Sequence, residues 1–185
     1  RGASGTVSAE EASGLVALEI ALRGLRTGEL DTAIVGAVDL PTNTIHTVAA
    51  REVIGIEEMV DAGAVLVLKR LADAIRAGDT IYGVVDTEHQ PVRWTANDTI
   101  EQQLGHSHAA KGLVKFASAT MYAAVKMRGV TSEIQDMTGR SWTHHIRPYQ
   151  ATELNSPQLH QPLMRFPLHW KPLALSLGTA EDSPS

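Results

Sequence analysis

The sequence predicts an α/β fold in which buried strands alternate with helices. Three short apolar runs, at residues 32–40, 64–71 and 80–86, have the length and composition of buried strands. The segments between and after them carry apolar residues at helical spacing. The chain has 185 residues, of which 43% are apolar, and this is enough for one domain, or most of one, with a buried core. We therefore expect helices layered on a sheet.

The first helix is predicted over residues 13–28. Apolar residues recur at helical spacing, which is typical of a mostly buried helix: Leu15, Leu18, Ile20, Leu22 and Leu25. Gly28 follows as a C-terminal stop, because glycine readily adopts the left-handed conformation that ends many helices. The first strand then runs through residues 32–40.

A strand, a short helix and another strand are predicted next. Residues 64–71 form the second strand, residues 72–79 form a short helix that ends at Gly78, and residues 80–86 form the third strand. A second long helix is predicted over residues 108–127. Its many alanines and few charges favour close packing inside the protein.

The composition changes from Gly129 onward. Prolines at positions 148, 157, 162, 167 and 172 interrupt this part of the chain, and each removes a backbone donor and opposes a long helix. We therefore predict a domain over residues 1–128 and an irregular, extended Pro/His-rich tail or linker over residues 129–185. We expect the last residues, 181–185, to be disordered.

Charge and composition exclude several classes of protein. The 16 basic and 21 acidic residues give a net charge of −5, which offers no basic field for nucleic acid or an anionic membrane. The absence of cysteine excludes disulfides, thiolate nucleophiles and cysteine zinc sites. No apolar run approaches the ~20 residues of a membrane-spanning helix, and the first residues lack the layout of a signal peptide. We expect a cytoplasmic protein.

Histidine and serine motifs suggest two further kinds of site. The pairs His106/His108 and His144/His145 are candidate metal ligands, but a metal site needs three or four converging ligands, so we expect structural or solvated histidines and no metal. The sequence around Ser107 has the form of a nucleophile elbow, which would indicate a hydrolase. The polar segment before it departs from that motif. No glycine-rich phosphate loop is present, so no nucleotide is predicted.

Three separated blocks carry a more specific resemblance. They contain the strings GLVALEIAL, AGAVLVLKRLADAIRAGDTIY and GHSHAAKG, within residues 7–40, 61–85 and 104–121. Together they resemble the ketosynthase (beta-ketoacyl synthase) family of fatty acid and polyketide synthases, which has the thiolase fold. The resemblance implies a thiolase-like layered α/β fold that is partial, made of the C-terminal portion of a ketosynthase-like domain.

The resemblance also implies a degenerate catalytic site. Glu11 stands where the family has its nucleophilic cysteine, and His106 matches the family's second catalytic histidine, which helps to stabilise the enolate formed by malonyl decarboxylation. A carboxylate cannot form the thioester that chain transfer requires. Glu101 replaces the family's lysine, and the HGTGT motif and the GFGGTN loop have no counterpart. A structural role for Glu11 in a first helical turn, or for His106 in packing, stays open at this point.

The resemblance implies a role in a multidomain synthase. Cysteine-less relatives are familiar as chain-length factors, so we expect a non-condensing domain, as in polyunsaturated fatty acid and polyketide synthases, that acts as scaffold and acyl-tunnel partner. It implies no bound cofactor, a carrier protein's phosphopantetheine arm as substrate carrier, and a dimer with an active ketosynthase or with itself near strand 32–38. The alternative is an acyltransferase or malonyl-carrier-protein decarboxylase that uses Glu11 and His106 with residues outside this sequence.

The intervals between the blocks are shorter than in the family. Either the sequence joins parts of a longer polypeptide, or it is a truncated remnant that depends on neighbours for its core. Both accounts stay open.

Overall fold

The computed structural model describes residues 2–41, 44–49, 51–52, 55, 59–86, 92–93, 105–126, 129–136, 138–149 and 162–165. In chain order, its elements are a 3-10 turn (Glu10–Ala12), α1 (Ser13–Thr27), β1 (Thr32–Asp39), α2 (Thr44–Ala49), β2 (Ala62–Arg70), α3 (Leu71–Ala77), β3 (Gly83–Asp86), β4 (Val92–Arg93), α4 (His108–Lys126), β5 (Val130–Gln135), β6 (Ser141–Arg147) and β7 (Pro162–Arg165).

The strands form one seven-stranded sheet in the order β1-β2-β7-β3-β6-β5-β4. The described pairings are antiparallel except that of β4 with β5, which is parallel. In the longest pairing, β1 runs against β2 from Thr32 opposite Lys69 to Asp39 opposite Ala62. The structure confirms a mixture of helices and strands, and a thiolase-like layering stays a prediction.

Both long helices pack against the sheet and against each other. Leu22 of α1 and Phe116 of α4 share one fully buried cluster with Leu68 of β2. The two helices approach closely: a Cβ added at Gly112 would lie 2.4 Å from Cγ of Leu15. This contact confirms the close packing predicted for the second long helix, because only a residue without a side chain fits there.

Glycines end two of the helices as predicted. Gly28 follows α1 with φ of 78°, and Gly78 follows α3 with φ of 67°. Both values lie in the left-handed region, which costs a residue with a Cβ more than it costs glycine.

The prediction that the first strand is buried is wrong. β1 lies at the edge of the sheet, and its outward side chains are exposed, with Ile34 at 75% and Val38 at 66%. Only Val35 of this strand is buried. A short apolar run indicates a strand but not its place in a sheet, since that place depends on pairing with distant residues. β3, in contrast, is buried along its whole length.

The prediction of an irregular tail from Gly129 onward is wrong for residues 130–147. These residues form the β5–β6 hairpin, and β6 lies inside the sheet between β3 and β5. The turn is closed by Asp136, whose carboxylate accepts hydrogen bonds from the backbone amides of Thr138 and Arg140. The prolines did not prevent this hairpin because none lies within it. The predicted boundary after residue 128 therefore falls inside one sheet.

Beyond residue 149, the predicted tail is described only at β7. Pro162 is the first residue of β7, a position at which proline is tolerated in a strand. Residues 150–161 and 166–185, which include the end segment predicted to be disordered, lie outside the described residues. Among the helices that are described, none is long and apolar enough to cross a membrane.

Candidate functional site

Glu11 lies in the 3-10 turn that leads into α1, and it is buried. Its side chain is 7% exposed, and its Oε1 lies 2.5 Å from Nζ of Lys111, whose side chain is 15% exposed. The ammonium donates this hydrogen bond and the carboxylate accepts it. The residue that we predicted to stand at the family's nucleophile position is therefore one half of a mostly buried ion pair.

The pair forms because the first turns of α1 and α4 meet. A Cβ added at Gly14 would lie 3.1 Å from Cβ of Leu113 and 3.3 Å from the backbone oxygen of Ala109. Small residues at this crossing bring the two helix starts together. The start of a helix favours an anion, which suits Glu11 but not Lys111 in the first turn of α4. The carboxylate of Glu11 offsets that unfavourable position of Lys111.

The arrangement limits the chemistry available at Glu11. A carboxylate that is hydrogen-bonded to an ammonium carries a neutralised charge, and moving either group out of the pair leaves a buried charge behind. Acyl transfer through a covalent intermediate needs a nucleophile that gives a thioester or an ester. The carboxylate of Glu11 would form neither a thioester nor an ester. Its described contact, the ion pair with Lys111, is that of a structural residue.

His106 lies just before α4. It is half-buried, its backbone bridges to Met59, and its carbonyl accepts a hydrogen bond of 3.0 Å from the amide of Val60. Its ring meets the ring of His108 edge to face, with 6.2 Å between centroids. Both predicted catalytic positions therefore lie around the start of α4: His106 just before it, and Glu11 through its contact with Lys111. Glu101 lies outside the described residues.

The other predicted sites are placed as follows. Ser107 is only 6% exposed, and its carbonyl accepts the amides of Ala110 and Lys111 at the start of α4. A nucleophile elbow needs an exposed serine, so the burial of Ser107 disfavours a hydrolase. Within the part of the chain that the structure describes, no group of three or more His, Asp or Glu side chains could hold a metal ion.

Two features of this region were missed by sequence reasoning. The first is Lys111, whose role depends on a contact with a residue 100 positions away. The second is the pair Glu19 and His144, in which Oε1 lies 2.7 Å from Nε2. The hydrogen bond from His144 lowers the pKa of Glu19 from its ordinary value of 4.5, against an opposing effect of burial. A lysine within GHSHAAKG was a visible signal for the first feature, whereas nothing in the sequence linked Glu19 to His144.

Comparison with known proteins supports the resemblance. Residues 1–56 match the family described as beta-ketoacyl synthase, N-terminal domain. The chain is 41% identical over 102 residues to the PKS-NRPS hybrid synthetase acdB of Aspergillus candidus, and the match covers 45% of this chain and 4% of that protein. It is 36% identical over 100 residues to the highly reducing polyketide synthase sorA of Penicillium rubens, covering 46% of this chain and 4% of that protein.

These matches also correct one expectation. The chain spans only a small part of the curated relatives, 4% of the length of each. The segment that matches the family is assigned to its N-terminal domain, so the expectation that this sequence represents the C-terminal portion of a ketosynthase-like domain is wrong for residues 1–56. The expectation was wrong because the first block, within residues 7–40, was assigned to the C-terminal portion of the ketosynthase-like domain.

Proposed function

We propose that the chain, whose residues 1–56 match the N-terminal domain of the beta-ketoacyl synthase family, serves as a non-condensing, ketosynthase-like part of a multidomain polyketide or fatty acid synthase. In this role it is a scaffold that contributes to the wall of an acyl tunnel beside an active ketosynthase, as a chain-length factor does. The observation that carries the proposal is the buried Glu11–Lys111 ion pair at the place of the family's nucleophile.

The ion pair argues against a condensing site at this position. Condensation by this family passes through a thioester on cysteine, and none of the 185 residues is a cysteine. Lys111 holds the carboxylate of Glu11 between two packed helix starts. The residues that would perform the chemistry therefore stabilise the contact between α1 and α4 instead.

The partners follow from the same role. A carrier protein would present the growing acyl chain on its phosphopantetheine arm, and the chain itself would hold no cofactor. The dimer partner, an active ketosynthase or a second copy, would pair with β1. Support for this surface comes from the edge position of β1 and from the exposure of Ile34 and Val38, since an unpaired strand edge readily accepts another strand.

A covalent acylation assay tests the proposal. The purified chain is incubated with an acyl carrier protein loaded with a hexanoyl thioester, and its mass is read under denaturing conditions. We expect no hexanoyl mass gain in the unmodified chain or in the matched variant Glu11→Gln. Glu11→Cys is the positive control, because it places a thiol at a helix N-terminus beside Lys111, where the reactive thiolate is favoured. A mass gain in the unmodified chain would contradict the proposal.

The alternative is a malonyl-carrier-protein decarboxylase or acyltransferase that uses Glu11 and His106 with residues outside this chain. It is favoured by the position of His106, half-buried at the start of α4 near the segment that holds Lys111. Decarboxylation does not need a covalent intermediate on the enzyme, so the acylation assay does not test it. Release of carbon dioxide does.

A further inference from the structure

The β5–β6 hairpin places two hydroxyl residues directly opposite two histidines. Thr131 is the cross-strand partner of His145, and Ser132 is the partner of His144. Successive side chains of a strand point to opposite faces of the sheet. The pair Ser132–His144 therefore lies on the face toward α1, which we call the inner face, and the pair Thr131–His145 lies on the opposite, outer face. The two pairs therefore repeat one arrangement on both faces.

The outer pair shows what this arrangement allows. Oγ1 of Thr131 lies 3.2 Å from Nδ1 of His145 and is hydrogen-bonded to it. Side chains of direct cross-strand partners have their Cβ atoms about 4.5–5.5 Å apart. A hydroxyl on β5 can thus reach the Nδ1 atom of the imidazole opposite it on β6.

The inner pair is buried and has polar atoms to satisfy. Ser132 is 0% exposed and His144 is 4% exposed. Oγ of Ser132 and Nδ1 of His144 are both inaccessible to solvent and have no hydrogen-bond partner among the described residues. Leaving a donor and an acceptor buried without partners is unfavourable, and these two atoms belong to facing side chains.

Glu19 decides which ring nitrogen of His144 carries the proton. Its Oε1 lies 2.7 Å from Nε2 of His144. An ionised carboxylate only accepts hydrogen bonds, so Nε2 must donate. In a neutral imidazole, Nδ1 then has a free lone pair that needs a donor, and the Ser132 hydroxyl is a donor at the facing position.

We propose that the hydroxyl of Ser132 donates to Nδ1 of His144, so that Ser132, His144 and Glu19 form one buried hydrogen-bonded relay that joins β5, β6 and α1. The contact requires a rotation of the Ser132 side chain that turns its hydroxyl toward Nδ1. In this relay, each histidine of the His144–His145 pair faces a hydroxyl residue of β5. This arrangement accounts for the histidine pair without a metal site.

The relay positions α1 on the hairpin. It lies between two apolar pairs of the inner face, Val130 with Ile146 and Ile134 with Trp142. A shift of β5 by one residue against β6 would turn Ser132 to the opposite face of the sheet and leave Nδ1 of His144 buried without this donor. Glu19 lies on the same helix that Glu11 precedes, so the relay holds in place the helix whose start meets Lys111. Ser132 is too buried to meet a substrate and acts as a positioning residue.

Nitrogen-15 NMR of the histidine rings in the full chain tests the relay. We expect Nε2 of His144 to carry the proton and Nδ1 to resonate as a hydrogen-bonded acceptor. Ser132→Ala should move the Nδ1 resonance of His144 toward that of a free acceptor, and Ser132→Thr, which keeps a hydroxyl, should restore it. The matched control is Thr131→Val, which should move Nδ1 of His145 and leave His144 unchanged.

Two results would overturn the relay. One is a Nδ1 resonance of His144 that does not change in folded Ser132→Ala. The other, read on the unmodified chain and therefore independent of any effect on folding, is a proton on Nδ1 instead of Nε2, or a Nδ1 resonance typical of an acceptor without a hydrogen bond.

Discussion

The sharpest consequence of the structure concerns the charge of Glu11. Glu11→Gln keeps the size of the side chain and one acceptor oxygen but removes its charge. The ammonium of Lys111, 2.5 Å away and 15% exposed, would then stay mostly buried without this carboxylate. We expect a loss of stability, because the carboxylate of Glu11 no longer offsets the desolvation of Lys111.

The size of the loss follows from burial and distance. At an effective dielectric constant of about 20, two unit charges 2.5 Å apart attract by roughly 7 kcal/mol, and desolvation opposes much of this. Breaking a buried pair costs about 3–5 kcal/mol. Because Lys111 is partly exposed and can turn toward water, we place the change in the free energy of unfolding at the lower end, about 3 kcal/mol. For a chain of this size, that lowers Tm by roughly 6–12 °C.

Urea unfolding at neutral pH measures this loss in a double-mutant cycle with Lys111→Met. We expect the double variant to recover most of the stability lost in Glu11→Gln, because it removes both buried charges. The control is Arg76→Gln, which breaks the exposed pair of Arg76 with Asp73 and should cost less than about 1 kcal/mol. A loss in Glu11→Gln no larger than that of Arg76→Gln, or strictly additive effects in the cycle, would refute the reasoning.

Two further predictions concern packing and pH. Gly112→Ala should destabilise the chain by roughly 1–3 kcal/mol through overpacking, because its Cβ would lie 2.4 Å from Cγ of Leu15; an unchanged Tm would contradict the close contact of α1 with α4. The hydrogen bond from His144 lowers the pKa of Glu19 below 4.5, so the stability it supplies is present above pH 4.5 and is lost as the pH falls below that value. Glu19→Gln should flatten the pH dependence of the free energy of unfolding in this acidic range, by less than about 1 kcal/mol because the carboxylate is partly exposed. An unchanged dependence would contradict the assignment.

Local signals predicted much of the secondary structure. Two local signals placed α1, the end of α3 and the loops after them: the leucine spacing from Leu15 to Leu25, and the glycines at positions 28 and 78. These features depend on neighbours within a few residues, so the sequence contains them directly. The burial of β1 was mispredicted because it depends on which strand lies beside it, and β2 begins 23 residues after β1 ends.

The β5–β6 hairpin was hidden by the composition around it. Prolines after Gly129 suggested an extended tail, although Trp142, His144 and Ile146 alternate with exposed or half-buried residues as in a strand with one covered face. The sequence did not predict that His144 is a core residue. It is one because Glu19, on a helix far away in the sequence, satisfies its Nε2 atom.

The site was predicted in part. The family resemblance pointed to Glu11 and His106, and their assignment as site residues stays a prediction. The ion pair was not predicted, since it arises where the starts of α1 and α4 meet and not from any local pattern.

Release of carbon dioxide from a malonyl-loaded carrier protein is the most direct test of a non-condensing, structural role. The full chain is compared with His106→Ala and with a blank that lacks the chain, and the released carbon dioxide is measured over time. The account predicts the same slow release in all three samples. Release by the unmodified chain above the blank, and a fall to the blank in His106→Ala, would contradict the account and establish a decarboxylase.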